Sequence, residues 1–177
     1  MRSALASPLR RRLLIGGVAG TALLGGAWLS LRRHAPDPAA EALWAQSFDT
    51  PRGERLVMSR LRGRPLLVNF WATWCAPCVR ELPEIDRFHR DFGANGWQVV
   101  GLAIDGPTPV REFLSRMTLG FPIGLAGLDG TALVRQLGNT RGGLPFSVAF
   151  DAEGRVVQRK LGETSYAELA GWARALG

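Results

Sequence analysis

The pattern of apolar and polar residues divides the chain into an uncharged N-terminal stretch and a longer region with shorter apolar runs. Residues 13–31 contain no charged side chain. Farther along, residues 65–71 and 97–104 are almost continuously apolar, which is typical of strands buried on both faces of a sheet. The pattern therefore predicts a buried sheet that comes after an apolar N-terminal segment.

The other elements are predicted from the spacing of apolar residues between turn signals. Apolar positions at helical spacing predict a long helix over residues 76–92. Further helices are expected at 109–117, at 129–137 and after Thr164 or Ser165, one of which is expected to cap the helix. Further strands are expected at 43–48, 54–58, 121–125, 146–150 and 155–161, the last two joined by a hairpin turn. This order predicts an α/β fold with a mainly parallel sheet, an antiparallel C-terminal hairpin and helices on both faces.

Residues 13–31 have the length of a membrane-spanning helix. At about 1.5 Å per residue the segment extends roughly 28 Å, close to the ~30 Å hydrocarbon core of a bilayer. Arg10, Arg11 and Arg12 precede it, which favours a cytoplasmic location for residues 1–12 and export of the residues after the span. We interpret residues 13–31 as an uncleaved transmembrane signal anchor; a cleaved export signal, of twin-arginine type, is the alternative.

The net charge of +7 is concentrated at the N-terminus. Six of the 22 basic residues precede residue 34, where no acidic residue occurs, and the rest of the chain has 16 basic and 15 acidic residues. A nucleic-acid partner is therefore not expected. Residues 32–42 contain Pro36 and Pro38 without apolar periodicity and are interpreted as a linker. The folded domain is expected over residues 43–177.

The two cysteines of the chain are Cys75 and Cys78. A Cys-x-x-Cys pair beside a strand–helix pattern is typical of a redox site, although zinc sites use the same spacing. Zinc would need two more ligands, and neither His34 in the linker nor His89 along the helix is well placed. A permanent disulfide would stabilise little, because the loop it closes is short. A redox pair is favoured, with no metal or other cofactor.

The residues around this pair resemble those of the thioredoxin superfamily. Residues 68–78 (VNFWATWCAPC) are similar to its active-site strand and helix start. Residues 81–83 (ELP) and 142–146 (GGLPF) resemble the TlpA/ResA-like membrane-anchored thiol–disulfide oxidoreductases in particular. The resemblance covers residues 43–176. It implies a thioredoxin-like fold, in which helices flank a central mixed sheet, with an N-terminal extension and a central helical insertion at residues 107–138.

The two cysteines and two of their neighbours, Pro77 and Trp74, are each expected to have a distinct role. Cys75 is expected at the helix N-terminus, where free N–H groups and the helix dipole favour the nucleophilic thiolate. Cys78, one turn farther in, is expected to resolve the mixed disulfide. Pro77 stiffens the loop between them, because proline fits the first helical turn without losing a hydrogen bond. Trp74 is expected to offer substrates an apolar surface beside the sulfur.

The resemblance also implies roles for more distant residues. The Leu144–Pro145 bond is implied to be cis and to leave the backbone of Leu144 free to pair with an extended substrate. A carboxylate at Glu81 is implied to tune the cysteines and relay protons; the alternative is a solvated helix residue. Asn69 stands where thioredoxin itself has a buried aspartate, which shifts proton transfer to Glu81 or to water. Pro83 is expected to kink the helix.

These features together predict a membrane-tethered thiol–disulfide oxidoreductase that reduces specific protein disulfides. The resemblance implies a transmembrane thiol carrier of the DsbD or CcdA type as electron donor. Apocytochrome c or copper-site assembly factors are the implied clients. The catalytic domain is expected as a monomer on the periplasmic side of a bacterial inner membrane. A dithiol oxidant, or a thioredoxin-fold metallochaperone or binding module without redox turnover, is the alternative.

Overall fold

The computed structural model describes residues 37–176, which form a seven-stranded mixed sheet with helices on both faces. The strands are β1 (Ser47–Asp49), β2 (Arg55–Val57), β3 (Leu66–Trp71), β4 (Gln98–Ala103), β5 (Ile123–Leu125), β6 (Phe146–Phe150) and β7 (Val156–Leu161). The helices are α1 (Pro38–Trp44), α2 (Ala76–Gly93), α3 (Pro107–Leu114), α4 (Gly130–Gln136) and α5 (Tyr166–Leu176), with a 3₁₀ turn at Met58–Leu61.

The sheet has the order β2-β1-β5-β4-β3-β6-β7. The neighbours β3, β4 and β5 are parallel, and every other pair is antiparallel. The carboxyl ends of the parallel strands therefore meet at one edge of the sheet, and β6 starts at the same edge because Phe146 pairs with Phe70. The mixed sheet with helices on both faces confirms the predicted thioredoxin-like architecture, and the antiparallel C-terminal hairpin of β6 and β7 is present as expected. The prediction of a mainly parallel sheet is wrong, because two strand pairs are parallel and four are antiparallel.

The all-buried strand β3 explains the continuous apolar run seen in the sequence. Its even-numbered residues, such as Val68 and Phe70, belong to an apolar cluster with α1 and α4. Its odd-numbered residues, such as Leu67 and Trp71, pack with α2, α3 and α5 on the opposite face. Because side chains alternate along a strand, Asn69 must also face α2.

Helix α1 shows that part of the predicted linker is folded. The carboxylate of Asp37 accepts a hydrogen bond from the N–H of Ala39 at 2.9 Å and caps the helix. Leu43 and Trp44 are buried. The predictions of a linker up to residue 42 and of a strand starting at residue 43 are therefore wrong for residues 38–44. Pro38 is compatible with a linker, but proline is equally suited to the first turn of a helix.

The other boundaries differ less from prediction. The strand expected at 54–58 ends at Val57, and the third helix begins at Pro107 rather than at residue 109. Ser165 caps the last helix: its hydroxyl accepts a hydrogen bond from the N–H of Glu168 at 3.3 Å, and the carboxylate of Glu168 accepts one from the N–H of Ser165 at 3.2 Å. Thr164, the other candidate cap, donates hydrogen bonds from its N–H and its hydroxyl to the carboxylate of Glu81.

The predicted basic N-terminus (1–12), the predicted anchor (13–31) and residues 32–36 of the predicted linker lie outside the described residues. Within residues 37–176, none of the helices has the length and apolar character needed to cross a bilayer.

Replacing Trp44 by alanine tests whether α1 belongs to the domain. The indole is 3% exposed, packs edge-on against Phe150 at 5.1 Å between ring centroids, and donates from Nε1 to the carbonyl of Gly154 at 2.8 Å. We expect the full-length variant to lose about 3–5 kcal/mol in the free energy of unfolding, measured by urea denaturation. Leu128→Ala, at a side chain that is 78% exposed, is the matched control and should change stability by less than about 0.5 kcal/mol. A loss as small as that of the control would contradict the docking of α1.

Candidate active site

The two cysteines lie at the N-terminus of α2, at the edge of the sheet where the parallel strands end. They form a disulfide, with 5.2 Å between the Cα atoms. Cys75 is the N-cap residue, and its sulfur accepts a hydrogen bond from the N–H of Cys78 at 3.3 Å. Cys75 retains 6% exposure, whereas Cys78 is completely buried. Because an incoming disulfide must reach the attacking sulfur, this geometry favours Cys75 as the nucleophile and Cys78 as the resolving thiol.

The loop that leads into the cysteines is held by a carboxylate from the neighbouring strand. Asp105 comes after β4, and its Oδ2 accepts hydrogen bonds from the N–H and the hydroxyl of Thr73 at 3.1 and 2.6 Å. Its Oδ1 accepts one from the N–H of Gly106 at 2.8 Å. Trp74, the next residue of the loop, is 68% exposed beside Cys75. Asp105 thus fixes the backbone that presents Trp74 and Cys75 to a client.

The Leu144–Pro145 peptide bond is cis, which confirms the expectation from the resemblance. Pro145 is buried at the start of β6, and Leu144 packs against the apolar clusters on both faces of the sheet, including the one that contains the cysteines. Asn139 holds the preceding loop: its Nδ2 donates to the carbonyl of Gly143 at 2.7 Å, and its Oδ1 accepts from the N–H of Gly142 at 3.1 Å.

Glu81 lies one helical turn beyond Cys78 and is completely buried. Its Oε2 accepts hydrogen bonds from the N–H and the hydroxyl of Thr164 at 2.6 and 2.8 Å. Its Oε1 accepts one from Nδ2 of Asn69 at 2.6 Å. The alternative interpretation of Glu81 as a solvated helix residue is therefore wrong.

The surroundings of Glu81 raise the pKa of its carboxyl group above the ordinary value for glutamate. Burial is the largest cause, because removal from water disfavours the charged form. The hydrogen bonds from Thr164 and Asn69 act in the opposite direction, and the nearby charge of Glu163 adds to the increase. A carboxyl group with a raised pKa can take up and release protons closer to neutral pH, which is the property required of a proton relay.

Asn69 is suited to both protonation states of Glu81. Its Nδ2 also donates to the hydroxyl of Ser147 at 3.0 Å. An amide presents a donor to an ionised carboxylate and, after rotation by 180°, an acceptor to a protonated one. The serine hydroxyl can adapt to this rotation because it both donates and accepts. An aspartate at position 69 would instead place a second carboxylate beside Glu81, which like-charge repulsion opposes.

The two remaining predicted site residues are prolines of α2. Pro77 is half-buried in its first turn. Pro83 is exposed inside α2, which continues through it to Gly93; the kink expected there stays a prediction. Among the described residues, no group of three or more His, Cys, Asp or Glu side chains is placed to hold a metal ion.

Four residues that hold the site together are not predicted as site residues from the sequence: Asp105, Asn139, Ser147 and Thr164, the last of which is expected there only as a helix cap. Ser147 could have been found by pairing the predicted strands, because it lies directly opposite Asn69. Asp105 precedes a glycine at the end of a buried strand, a position that often carries functional side chains in such sheets. The contact between Thr164 and Glu81 joins residues that are 83 positions apart in the chain, and no local sequence pattern predicts it.

Comparison with known proteins agrees with this site. Residues 39–175 match the family model described as Redoxin. The thiol–disulfide oxidoreductase ResA of Bacillus cereus is 28% identical over 125 residues, which are 70% of each chain. The solved structure of dsbF from MTB, in mixed oxidized and reduced forms, has a TM-score of 0.67 and 26% identity and covers 80% of this chain and 100% of that one. StoA from Bacillus subtilis has the same fold, with a TM-score of 0.60 and 23% identity over 72% of this chain and 95% of that one.

The matched residues 39–175 include the whole site, from Asn69 on β3 to Thr164, which donates hydrogen bonds to Glu81. The chain therefore belongs to the Redoxin family and is a thiol–disulfide oxidoreductase of the ResA type.

Proposed function

We propose that this oxidoreductase is a membrane-tethered reductant of specific protein disulfides on the periplasmic side of a bacterial inner membrane. The observation that carries the proposal is the difference in exposure between the two cysteines: Cys75, at the helix N-terminus, retains 6% exposure, and Cys78 is completely buried. The uncharged stretch at residues 13–31 supports the tether, and the ResA relatives support the type of chemistry.

The proposed reaction uses both thiols and transfers two electrons. The thiolate of Cys75 attacks one sulfur of the client disulfide, forms a mixed disulfide and releases the other client sulfur as a thiolate, which takes up a proton. Cys78 then loses its proton and attacks the sulfur of Cys75. The second client thiol is released, and the enzyme is left with the Cys75–Cys78 disulfide. Glu81 is the proposed acceptor for the proton of Cys78, because it is the buried carboxyl group one turn away.

The oxidised enzyme must be reduced again before the next turnover. We propose a transmembrane thiol carrier of the DsbD or CcdA type as the electron donor, since an exported domain is separated from the reductants of the cytoplasm. Apocytochrome c haem-binding cysteines and copper-site assembly factors are the proposed clients, on the basis of the family resemblance. Membrane attachment, net direction and clients are parts of this proposal that can be tested separately.

The redox state of the two cysteines in cells tests location and direction together. The full-length chain is produced in a bacterial host with and without a transmembrane thiol carrier, and intact spheroplasts are treated with a membrane-impermeant maleimide. Because the chain has only two cysteines, each labelled thiol reports on the site. We expect labelling in the host that has the carrier. In the host that lacks it, we expect labelling only after an impermeant reductant has been added.

The Cys75→Ser/Cys78→Ser double variant is the control and should show no labelling. Labelling only after lysis would contradict the periplasmic location. A disulfide that persists in both hosts, and that is transferred to reduced substrate proteins, would contradict the reducing role and favour the dithiol oxidant. Full reduction without any exchange with client disulfides would favour the binding module.

A further inference from the structure

The loop before the cis proline borders a shallow surface cavity that the exchange reaction does not use. The cavity has a volume of about 220 Å³. Phe146 and Leu161, an opposed pair on β6 and β7, provide its apolar side chains. Arg141 and Arg159 provide its charged ones. Since Phe146 comes directly after Pro145, the cavity lies beside the segment to which a client is proposed to pair.

The cations around this cavity differ in how they are held. Arg159 is engaged: its Nε donates to the carbonyl of Leu137 at 2.7 Å, and a terminal nitrogen lies 3.4 Å from the carboxylate of Asp37. Arg141 is exposed, and so is Arg135 in the last turn of α4. Within the part of the chain that the structure describes, neither forms an ion pair within 4.0 Å.

Arg135 belongs to the same surface as Arg141. A methyl group added at Gly142 would lie 3.5 Å from Nε of Arg135, so this guanidinium rests against the loop that carries Arg141. We call Arg135, Arg141 and the cavity beside them the arginine surface. Leu144 follows Arg141 by three residues in the same loop.

The acidic side chains already described around the site have partners or are buried. Asp105 accepts hydrogen bonds from Thr73, and Glu163 pairs with Arg80 at 2.8 Å. Glu81 is buried. Asp129 precedes α4 and stands about 9 Å along the helix axis from Arg135, at 1.5 Å per residue. In the described part of the chain, the loop before Pro145 and the last turn of α4 thus carry two guanidinium groups without an ion-pair partner, Arg141 and Arg135.

We infer that the arginine surface selects client segments that carry an aspartate or glutamate close to the reactive cysteine. Guanidinium groups bind carboxylates with two parallel hydrogen bonds, and arginine is therefore the side chain best suited to this recognition. An apolar client residue next to the carboxylate would contact Leu161, which lines the cavity and is 46% exposed, whereas Phe146 is buried beneath it. The inference rests on the proposed function, because it assumes that the enzyme acts on polypeptide disulfides.

A single-turnover assay with matched peptides tests the inference. The full-length protein, in non-ionic detergent, is reduced with dithiothreitol and freed of it. It is then mixed with excess peptide that contains an internal disulfide. Two peptides are compared, identical except that the residues flanking the cysteines are glutamate in one and lysine in the other. The second-order rate constant is measured by acid quenching and counting of peptide thiols, at low and at high ionic strength.

We expect the glutamate peptide to react about tenfold faster than the lysine peptide at low ionic strength, with the ratio approaching one as salt screens the charges. Arg135→Glu/Arg141→Glu should reverse the preference. Arg52→Glu/Arg60→Glu is the matched control, because it changes the net charge equally at exposed positions before and after β2, the edge strand at the other end of the strand order from β7. It should keep a preference for the glutamate peptide.

The possible failures are distinguishable with hydroxyethyl disulfide, a small uncharged substrate. If the reduced enzyme does not react even with this compound, the proposed reductant function fails, and the inference fails with it. If it reacts normally but treats the two peptides equally, or prefers lysine, only the inference is overturned. A preference that survives unchanged in Arg135→Glu/Arg141→Glu also overturns it.

Discussion

Replacing Cys75 by serine should lower the rate of disulfide exchange by about 10³-fold or more, because the variant lacks the only thiolate that a client can reach. Cys78→Ser should behave differently: its Cys75 still attacks, but nothing resolves the product. We therefore expect covalent enzyme–client complexes to accumulate. Non-reducing gels of acid-quenched cells measure both outcomes, and peptide mass spectrometry identifies the sulfur that is joined.

The Cys75→Ser/Cys78→Ser double variant controls for complexes formed by other routes, since it has no thiol at all. Complexes that form with Cys75→Ser but not with Cys78→Ser would reverse the roles of the two cysteines. That result would contradict the assignment from burial, in which Cys75 retains 6% exposure and Cys78 none.

Glu81→Gln should reduce the rate of resolution by about 10²-fold, because the side chain loses its ability to accept a proton. In the wild type the carboxylate is the active form, so the rate should rise as pH increases through the raised pKa of Glu81. In the variant this rise should be absent. Stopped-flow measurement of the second exchange step, from about pH 4 to about pH 9, checks the prediction.

Glu84→Gln is the matched control for Glu81→Gln. Glu84 is also a glutamate of α2 that accepts a hydrogen bond from a backbone N–H, that of Tyr166 at 3.0 Å. It differs in being partly exposed and one turn farther from the cysteines. Its variant should keep the pH dependence of the wild type. An unchanged profile in Glu81→Gln would remove Glu81 from the proton path and leave water as the acceptor.

Glu81→Gln should also change how the free energy of unfolding depends on pH. Because the pKa of Glu81 is raised in the folded protein, the unfolded chain releases its proton first as pH increases. The cost of burying the ionised form of Glu81 is therefore absent below the ordinary glutamate pKa and grows until pH passes the raised value. Relative to Glu81→Gln, the wild type should lose stability as pH rises through this window. Urea denaturation at several pH values measures the difference.

The elements that local pattern specifies were predicted well from the sequence. The apolar run before Cys75 and the helical spacing after it defined β3 and α2, because each extends over enough residues for its period to be clear. The cysteine spacing and the late proline then identified the site. Helix α1 was missed because its seven residues begin with a proline and come shortly after another, a composition that also suits a linker.

The contacts around Glu81 could not be predicted from the sequence in the same way. Glu81 meets Thr164 and Asn69, which lie 83 and 12 residues away. Whether a helix glutamate faces solvent or a buried amide depends on how α2 rotates against the sheet, which is decided by tertiary packing. Local periodicity identified the apolar face of the helix and left the environment of Glu81 open.

The pairing of Asn69 with Glu81 has a consequence for how this site can change during evolution. With 2.6 Å between the amide nitrogen and the carboxylate oxygen, an aspartate at position 69 would have to share a proton with Glu81 or repel it, so we expect it to be disfavoured while position 81 keeps its glutamate. The loss of Glu81 alone would leave the amide of Asn69 and both donors of Thr164 without their acceptor. We therefore expect the two positions to change together among relatives, with a carboxyl group more often at one of them than at both or at neither.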